Sequence, residues 1–409
     1  MTENVFNHNL RIREKLLLGM SFRDYLKSNL TVTNAIAAAI LAIGIPVMAY
    51  RILYGIGAST NLTDSNPWGL WIGFDVMTGV ALSAGGFVLG TAVHLFGMKE
   101  YRIFVRPAIL TGFLGYLYAV MGLIFDLGRY YRLPYPMTVS FGVNSILFLV
   151  AWHVALYLTC QFIELCPAIF EWLEMAWLRK VAVWVTVGAT VAGVVLSTLH
   201  QSALGSLFLL MPSKVHPLWY SSYIPVLFFV SAIVAGLSMV IVESALSHIF
   251  FREQVERNGI GREAFDRLTI GLGKAASLTL VTYFVLKLLT VAHDHNWHWL
   301  FTRYGAWWMF EVAGFVLLPA VLFAVGARRH NARIVRGTAV IAILGIALNR
   351  LNLSVIAFNW NLEDQYFPHW MEYTITLTLI TMFMLEFRWI VNRLPILHDH
   401  PKFPSSKDH

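Results

Sequence analysis

The order of apolar and polar positions divides this chain into long hydrophobic stretches separated by short polar connections. A transmembrane helix needs about 20 consecutive, mainly apolar residues, and windows of that kind recur along the sequence. They cover residues 32–53, 70–96, 105–125, 143–165, 181–204, 223–249, 271–292, 306–327, 337–358 and 373–393. The pattern therefore predicts an all-α, polytopic membrane protein with about ten transmembrane helices.

The windows also define three parts of the chain. Residues 1–31 alternate between charged and apolar positions, which is typical of an amphipathic helix at a membrane surface. Residues 32–393 form the predicted transmembrane helical domain, and residues 394–409 form a C-terminal tail. Because 57% of the 409 residues are hydrophobic and only 13% are charged, little of the chain remains for a soluble domain.

Lys and Arg are distributed unevenly over the connections. Most of the 30 basic residues lie in the N-terminal segment, in the even-numbered connections or after the last window, as Lys99, Arg179 and Arg328 do. Cytoplasmic loops carry such an excess of basic residues, so both termini are predicted to be cytoplasmic. The net charge of +7 follows from this topology and does not indicate nucleic-acid binding.

The predicted outer connections are longer and rich in aromatic residues. They are Asp126–Gly142, Ser206–Ser222, His293–Gly305 and Asn359–Trp370. Such residues form an aromatic belt at the membrane interface. Four aromatic loops on one face also suggest a docking platform for a partner outside the cytoplasmic membrane.

Residues 66–79 lead into the second window and introduce a carboxylate. The chain enters through Pro67 and two tryptophans, Trp68 and Trp71, and Asp75 follows one or two turns inside the helix. An unpaired charge within the membrane costs about 2.5–3.5 kcal/mol or more. Asp75 therefore needs either a partner or a function.

Counting residues from the ends of the windows sorts the intramembrane polar side chains by depth. The predicted outer third contains Asp75, His200, Gln201, Lys287, Glu311 and Glu372; the middle contains Tyr116, His153, Asn349 and Arg350; the inner third contains His94, Glu164, Glu243, His248 and Glu386. A protein that only anchors a partner has little need for so many polar groups. Lys287 and Glu311, at similar depths on consecutive helices, are predicted to form a pair, and Glu372 and Glu386 are predicted to be interfacial.

Asp75 and His200 are predicted to lie at one level of the membrane. A quinone needs donors for its two carbonyls and protons as electrons arrive, and imidazole suits proton exchange near neutral pH. Asp75 and His200 are therefore the candidate catalytic residues, and Trp71 and Gln201 complete the candidate quinone-binding site. The alternative is that Asp75 and His200 only satisfy each other in the core of the bundle.

Five residues on spans three to six form a candidate proton pathway. Glu243 and Glu164 are predicted in the inner third, Tyr116 and His153 near the middle, and His200 in the outer third. Successive levels are too far apart for direct hydrogen bonds, so ordered water would have to bridge them. The alternative is that a neighbouring helix satisfies each polar group locally.

The sequence predicts no haem, iron–sulfur cluster or metal site in this chain. A haem b needs two His at one depth on facing helices, and only His94 and His248 form a candidate pair, because His153 and His200 differ in depth by roughly 10 Å. The two cysteines, Cys160 and Cys166, lie six residues apart on one span, without the clustering that an iron–sulfur site requires.

Several motifs resemble one family over nearly the whole chain. They include residues 67–75 (PWGLWIGFD), 126–130 (DLGRY), 198–202 (TLHQS), 214–219 (KVHPLW), 357–359 (AFN), 366–368 (YFP) and 394–397 (LPIL). With these motifs the chain resembles the membrane subunits of the NrfD and polysulfide reductase family, and within it the integral membrane subunit of hydrogenase-2-type periplasmic uptake hydrogenases.

The resemblance implies a cofactor-poor, quinone-reactive subunit in the bacterial inner membrane, built from two four-helix bundles and flanking helices. It implies that a periplasmic, ferredoxin-like iron–sulfur subunit delivers electrons from a catalytic periplasmic subunit to menaquinone or ubiquinone. It assigns Tyr116, Glu164, His200 and Glu243 to a proton route, with Asp75 and His200 near the quinone. Hydrogenase-type relatives often have Glu where this chain has Leu149, and His153, one turn further on the same face, is a candidate substitute.

The departure at Leu149 leaves the catalytic partner open. It is either a NiFe hydrogenase or another redox module, because menaquinone reductases fed by periplasmic cytochromes c use a similar subunit. Two other functions remain alternatives, an ion-coupled secondary transporter and a passive membrane anchor. Transporters often have inverted repeats and helices broken at mid-membrane, whereas the only prolines well inside spans, Pro46 and Pro319, do not occupy matching positions in two halves.

Overall fold

A computed structural model describes residues 15–403 of the chain. Within them, ten helices are long and apolar enough to cross a membrane, which confirms the predicted fold class. The helices are α1 (Val32–Tyr54), α2 (Trp71–Leu95), α3 (Lys99–Asp126), α4 (Ile146–Leu173), α5 (Ala176–Leu209), α6 (Ile224–Phe250), α7 (Arg262–His293), α8 (Arg303–Arg328), α9 (Ala332–Ile356) and α10 (Trp370–Val391). Residues 1–14 of the predicted N-terminal segment and residues 404–409 of the predicted tail lie outside the described part.

The helices form two four-helix bundles and a flanking pair. Helices α2 to α5 pack together in the first bundle and α6 to α9 in the second, while α1 and α10 pack against each other, with α10 also on α3. The arrangement predicted from the family resemblance is thus confirmed. We call the end with the connections around Lys99, Arg179 and Arg328 the basic face, and the opposite end the aromatic face.

Helix α6 joins the two bundles through a contact between small residues. A Cβ at Gly236 of α6 would lie 2.7 Å from the backbone carbon of Ala84 and 2.8 Å from the nitrogen of Gly85, both on α2. No side chain fits between two backbones at that distance. Small residues let transmembrane helices approach this closely, where dispersion contacts hold them together.

Replacing Gly236 with alanine should therefore weaken the join between the bundles. We expect a loss of about 1–3 kcal/mol of stability, the usual cost of overpacking, seen as a lower melting temperature of the detergent-solubilised protein. Gly337→Ala is the matched control, because nothing lies within 4 Å of a Cβ at that position on α9. Equal melting temperatures for the two variants would contradict the close contact.

A buried arginine ties the flanking helix α1 to the first bundle. Arg51 donates to the carbonyl oxygen of Phe125 at 2.8 Å from Nε and to that of Leu127 at 2.9 Å from Nη2. These carbonyls belong to the end of α3, where a helix leaves acceptors unsatisfied. The guanidinium thus caps α3 from a neighbouring helix.

The connections at the aromatic face converge on one histidine. The ring of His216 lies 4.7 Å from the rings of Tyr304 and Trp360, 5.0 Å from Trp299 and 5.5 Å from Trp219, measured between centroids. Burial lowers the pKa of His216 to about 4, so the imidazole is neutral at physiological pH. Three of the four predicted aromatic loops therefore form one packed surface rather than separate belts.

Three helices contain π-helical turns next to polar residues. The turns cover Trp71–Thr78 and Thr91–Leu95 in α2, Ala313–Leu317 in α8 and Asn352–Ile356 in α9. Asp75 lies inside the first π turn of α2, Glu311 precedes the turn in α8 by two residues, and Asn352 opens the turn in α9. Such turns are rare and appear frequently at functional sites.

Candidate functional site

Three predicted site residues form one hydrogen-bonded group in the first bundle. Tyr116 on α3 and His200 and Gln201 on α5 are at most 1% exposed. The Tyr116 hydroxyl bonds to Nε2 of His200, and Gln201 donates from Nε2 to the Tyr116 oxygen at 3.3 Å and to the carbonyl oxygen of Val80 at 3.1 Å. We call Tyr116, His200 and Gln201 the histidine group.

The backbone determines which nitrogen of His200 carries the proton. Nδ1 lies 2.7 Å from the carbonyl oxygen of Leu196, and a carbonyl only accepts, so Nδ1 is the donor. In the neutral ring Nε2 is then an acceptor, and it accepts from the Tyr116 hydroxyl. Nε2 of His200 can therefore accept a proton that arrives at the Tyr116 oxygen.

The first bundle extends this group toward the basic face with residues that the sequence analysis did not select. Gln161 on α4 donates from Nε2 to the hydroxyl of Tyr157 at 3.2 Å, and the Tyr157 ring lies 4.7 Å from the Tyr116 ring. Ser197 lies one turn before Gln201 on α5 and is fully buried beside both tyrosines. The sequence spacing could have indicated the residues on α4, because His153, Tyr157 and Gln161 recur every four residues and so share one face of that helix.

Glu243 on α6 continues the series near the basic face. It is 6% exposed, with Thr111 of α3 beside it, and a Cβ at Gly112 would lie 2.3 Å from Gln161 Nε2. Glu243, Thr111, Gln161, Tyr157, Tyr116 and His200 thus run from the basic third to the aromatic third. We call this series the polar row.

Several atoms of the polar row have no hydrogen-bond partner among the described residues. They are Oε1 of Glu243, Oγ1 of Thr111 and Oε1 of Gln161. Buried polar atoms are almost always hydrogen-bonded, to protein or to ordered water. A chain of water molecules between these three side chains would satisfy all of them and join them into one path.

A small cavity lies at the end of the polar row that faces the basic side. It has a volume of about 30 Å³ and is lined by Glu243, Ser247, His248, Asn258 and Leu397, among others. A water molecule needs roughly 10–15 Å³ of such space, so about two waters fit. Asn258 and Leu397 belong to the segments at the basic face, which brings Glu243 close to that surface.

Two predicted pathway residues lie beside the polar row. Glu164 accepts from Thr190 Oγ1 at 2.6 Å, and His153 lies near His200, but both side chains are only partly buried. Nδ1 of His153 has no partner among the described residues. Among the residues that the structure describes, neither forms a direct hydrogen bond to a member of the row. Their roles in the pathway stay predictions.

Asp75 lies apart from the histidine group. Its Oδ2 accepts from Thr376 of α10 at 2.6 Å. Its Cβ packs against Gly122 of α3, where an added Cβ would lie only 2.8 Å away. The neighbouring Trp71 is fully buried and donates from Nε1 to the carbonyl oxygen of Glu372 at 3.3 Å. Within residues 15–403 the structure gives Asp75 and His200 separate partners on different sides of α3, so they do not satisfy each other.

Glu372 lies in the first turn of α10, at the span end to which the sequence assigned it. Its side chain is 0% exposed. It accepts from the Tyr366 hydroxyl, from the amide of Asn61 at 3.2 Å and from the amide of His369 at 2.9 Å. A residue near a span end is buried here because the loops before α2 and α10 fold over it.

The second bundle holds the predicted Lys287–Glu311 pair, with 3.6 Å between Nζ and Oε1. Glu311 also accepts from Trp219 and Asn349, each at 2.7 Å. Arg350 lies nearby and stacks on the Phe228 ring at 3.6 Å. Arg350 donates to Ser231 and to Asn349, which in turn donates to Glu311. The cluster therefore consists of residues outside the polar row.

The histidines considered for haem have other contacts. The ring of His248 lies 4.0 Å from that of Phe265, and its Nδ1 bonds to the carbonyl oxygen of Ser244 at 2.9 Å. In the part of the chain that the structure covers, no three His, Cys, Asp or Glu side chains could hold a metal ion together. The absence of haem and iron–sulfur clusters stays a prediction.

Comparison with known proteins decides the family. The family model described as polysulphide reductase, NrfD matches residues 58–358. The chain belongs to the NrfD family. That match covers eight of the ten transmembrane helices, α2 to α9, and it contains Asp75, the histidine group and Glu243.

Three relatives of this NrfD-family chain show how far the similarity extends. A protein of Nitratidesulfovibrio vulgaris is 49% identical over 92% of this chain and 97% of its own length. The probable Ni/Fe-hydrogenase 2 b-type cytochrome subunit of Escherichia coli K12 is 32% identical over 87% of this chain and 91% of its own. The menaquinone reductase integral membrane subunit of N. vulgaris is 26% identical over 85% and 87%.

Proposed function

We propose that this NrfD-family chain is the quinone-reactive membrane subunit of a respiratory oxidoreductase complex. It takes electrons from an iron–sulfur subunit at the aromatic face and reduces menaquinone or ubiquinone in the outer third of the bacterial inner membrane. The polar row carries the proposal, because a buried series that joins a carboxylate near one face to a tyrosine–histidine pair near the other suits proton delivery. The similarity of the chain to a probable Ni/Fe-hydrogenase 2 subunit and to a menaquinone reductase subunit supports it.

The proposed chemistry is the addition of two electrons and two protons to the quinone. Nε2 of His200 first takes up a proton that arrives at the Tyr116 oxygen and then gives it to one carbonyl oxygen, and Gln201 holds the Tyr116 hydroxyl in place. Asp75 and Trp71, which lie apart from the histidine group, are proposed to contact the quinone from the α10 side of α3. The ring of His200 is fully buried. The quinone carbonyl therefore either replaces Tyr116 as the partner of His200 or receives its proton through the Tyr116 hydroxyl.

The proposed protons come from the cytoplasm. Glu243 collects them at the small cavity near the basic face, and Thr111, Gln161 and Tyr157 pass them on through bridging water. This direction assumes that the basic face and both termini are cytoplasmic, as the distribution of Lys and Arg indicates. Each turnover then moves charge across the membrane.

The electron donor belongs on the aromatic face. The packed aromatic surface around His216 joins three loops and is built from neutral rings, and aromatic residues are enriched at protein interfaces. A ferredoxin-like iron–sulfur subunit is the proposed partner there, with a NiFe hydrogenase or a cytochrome c-fed redox module behind it.

Purification of the chain from its native membrane tests this function. We expect an iron–sulfur subunit to co-purify and a menaquinone analogue to be reduced by the complex. We also expect no Soret band to be associated with this chain, because His153 and His200 differ in depth and the sequence predicts no haem. Isolation of the chain alone, with ion-driven solute uptake in vesicles, would favour a transporter. Unchanged turnover after joint replacement of Asp75, His200 and Glu243 would indicate a passive anchor.

A further inference from the structure

A cavity at the basic face, away from the polar row, has the features of a lipid site. It has a volume of about 500 Å³ and lies between the short helix Phe22–Ser28, the start of α1 and the end of α10. That volume falls in the usual range of small-molecule sites, about 300–1,000 Å³. The cavity touches none of the residues in the proposed quinone chemistry.

Two arginines line the cavity without a carboxylate. Arg388 donates to Oδ1 of Asn29 at 3.3 Å, and Arg393 donates to the carbonyl oxygen of Leu16 at 2.7 Å and to the Tyr25 hydroxyl at 2.9 Å. Neither forms an ion pair with an acidic residue within the described range 15–403, and both are partly buried. Their charge is therefore uncompensated, which favours an anion.

The cavity has an apolar side as well as a charged side. Ala37, Ala38, Leu41 and Leu385 form its wall toward the membrane interior, and Trp389 lies under the Arg393 guanidinium at 4.5 Å. Trp and Arg side chains near the ends of transmembrane helices are positioned at the level of the lipid head groups. An occupant with an anionic head and a hydrocarbon chain fits both sides.

A further atom indicates the kind of head group. Asn34 lines the cavity, and its buried Oδ1 has no hydrogen-bond partner among the described residues. This atom accepts only, so it needs a donor that a phosphate diester lacks and a glycerol hydroxyl supplies.

We propose that this cavity binds an anionic glycerophospholipid of the phosphatidylglycerol class. Its phosphate lies between Arg388 and Arg393, its glycerol hydroxyl donates to Asn34, and an acyl chain follows the wall of Ala37 and Ala38. The lipid joins the short helix Phe22–Ser28 to α1 and α10. This inference does not depend on the proposed quinone chemistry.

The test measures lipid binding to the delipidated full-length protein, with its co-purifying subunits, by native mass spectrometry and thermal shift. Phosphatidylglycerol, phosphatidylcholine and inorganic phosphate are the probes. We expect phosphatidylglycerol alone to bind tightly, and Arg388→Gln with Arg393→Gln to weaken it roughly 30-fold, since each basic residue near an anionic lipid is worth about 1 kcal/mol. Lys180→Gln with Arg257→Gln, which removes the same charge from exposed positions, should leave binding unchanged.

A second variant covers the case in which the double arginine variant does not fold. Ala38→Phe fills the apolar wall and keeps both arginines, and it should also weaken binding of phosphatidylglycerol. Equal binding of phosphatidylcholine, equal binding by Ala38→Phe and the native chain, or equal loss in the Lys180/Arg257 variant would overturn the proposal. Inorganic phosphate that competes as tightly as the lipid would show a free-anion site instead.

Discussion

Quinone reduction should fall by at least about 100-fold when His200 is replaced with alanine, while the complex still assembles and its soluble part still reduces an artificial dye. General acid–base groups contribute typically 10²–10⁴-fold to a rate, and His200 is the buried imidazole at the aromatic end of the polar row. Stopped-flow or steady-state assays with a menaquinone analogue measure the loss.

The control for this experiment lies on the same helix. Thr198→Val removes a hydroxyl that only donates to the carbonyl oxygen of Val194 at 2.9 Å within α5, so activity should be retained. Asp75→Asn should behave like His200→Ala, because it removes a carboxylate without changing the size of the side chain. Full quinone activity in both His200→Ala and Asp75→Asn would remove these residues from the site.

Internal alkalinisation of sealed, oriented proteoliposomes should disappear when Glu243 is replaced with glutamine. With the electron donor outside, the native complex draws protons from the lumen through the polar row, so internal pH rises and a membrane potential forms. Gln cannot exchange a proton, and the path is interrupted at its inner end. Each charge that crosses 100 mV costs about 2.3 kcal/mol, so an imposed potential should also change the turnover of the native complex.

An exposed acid at the same face serves as the control for Glu243. Glu253→Gln lies outside the polar row and is exposed, so alkalinisation should persist in that variant. If the native complex takes up protons only from the outside and forms no potential, the polar row is not a proton path. In that case Glu243→Gln would turn over quinone at the native rate.

Hydropathy predicted the ten helices because a membrane imposes one length and one composition on every span. The same depth count found the Lys287–Glu311 pair, since two charges at one level on consecutive helices have few other partners. Depth was less useful for Asp75 and His200. Counting residues gives the level of a side chain but not the direction in which it points, and these two residues point to different sides of α3.

The neutral members of the polar row were missed for a different reason. Tyr157, Gln161 and Thr111 carry no charge, and in a sequence they are read as ordinary core or lipid-facing residues. Their role depends on which helices meet, and that is decided by contacts distant in sequence, such as the one between Gly112 and Gln161. Only the four-residue spacing on α4 was visible beforehand.

The π-helical turn at Trp71–Thr78 has a consequence for how this site tolerates insertions and deletions. A π turn holds one residue more than an α turn, so it corresponds to a single inserted residue within an otherwise regular helix. Deleting any one residue there would restore α-helical winding and rotate the preceding part of α2 by about 100°. Asp75 and Trp71 would then face different neighbours although no side chain in the site had been substituted. The site therefore requires a fixed number of residues in this segment as well as particular side chains.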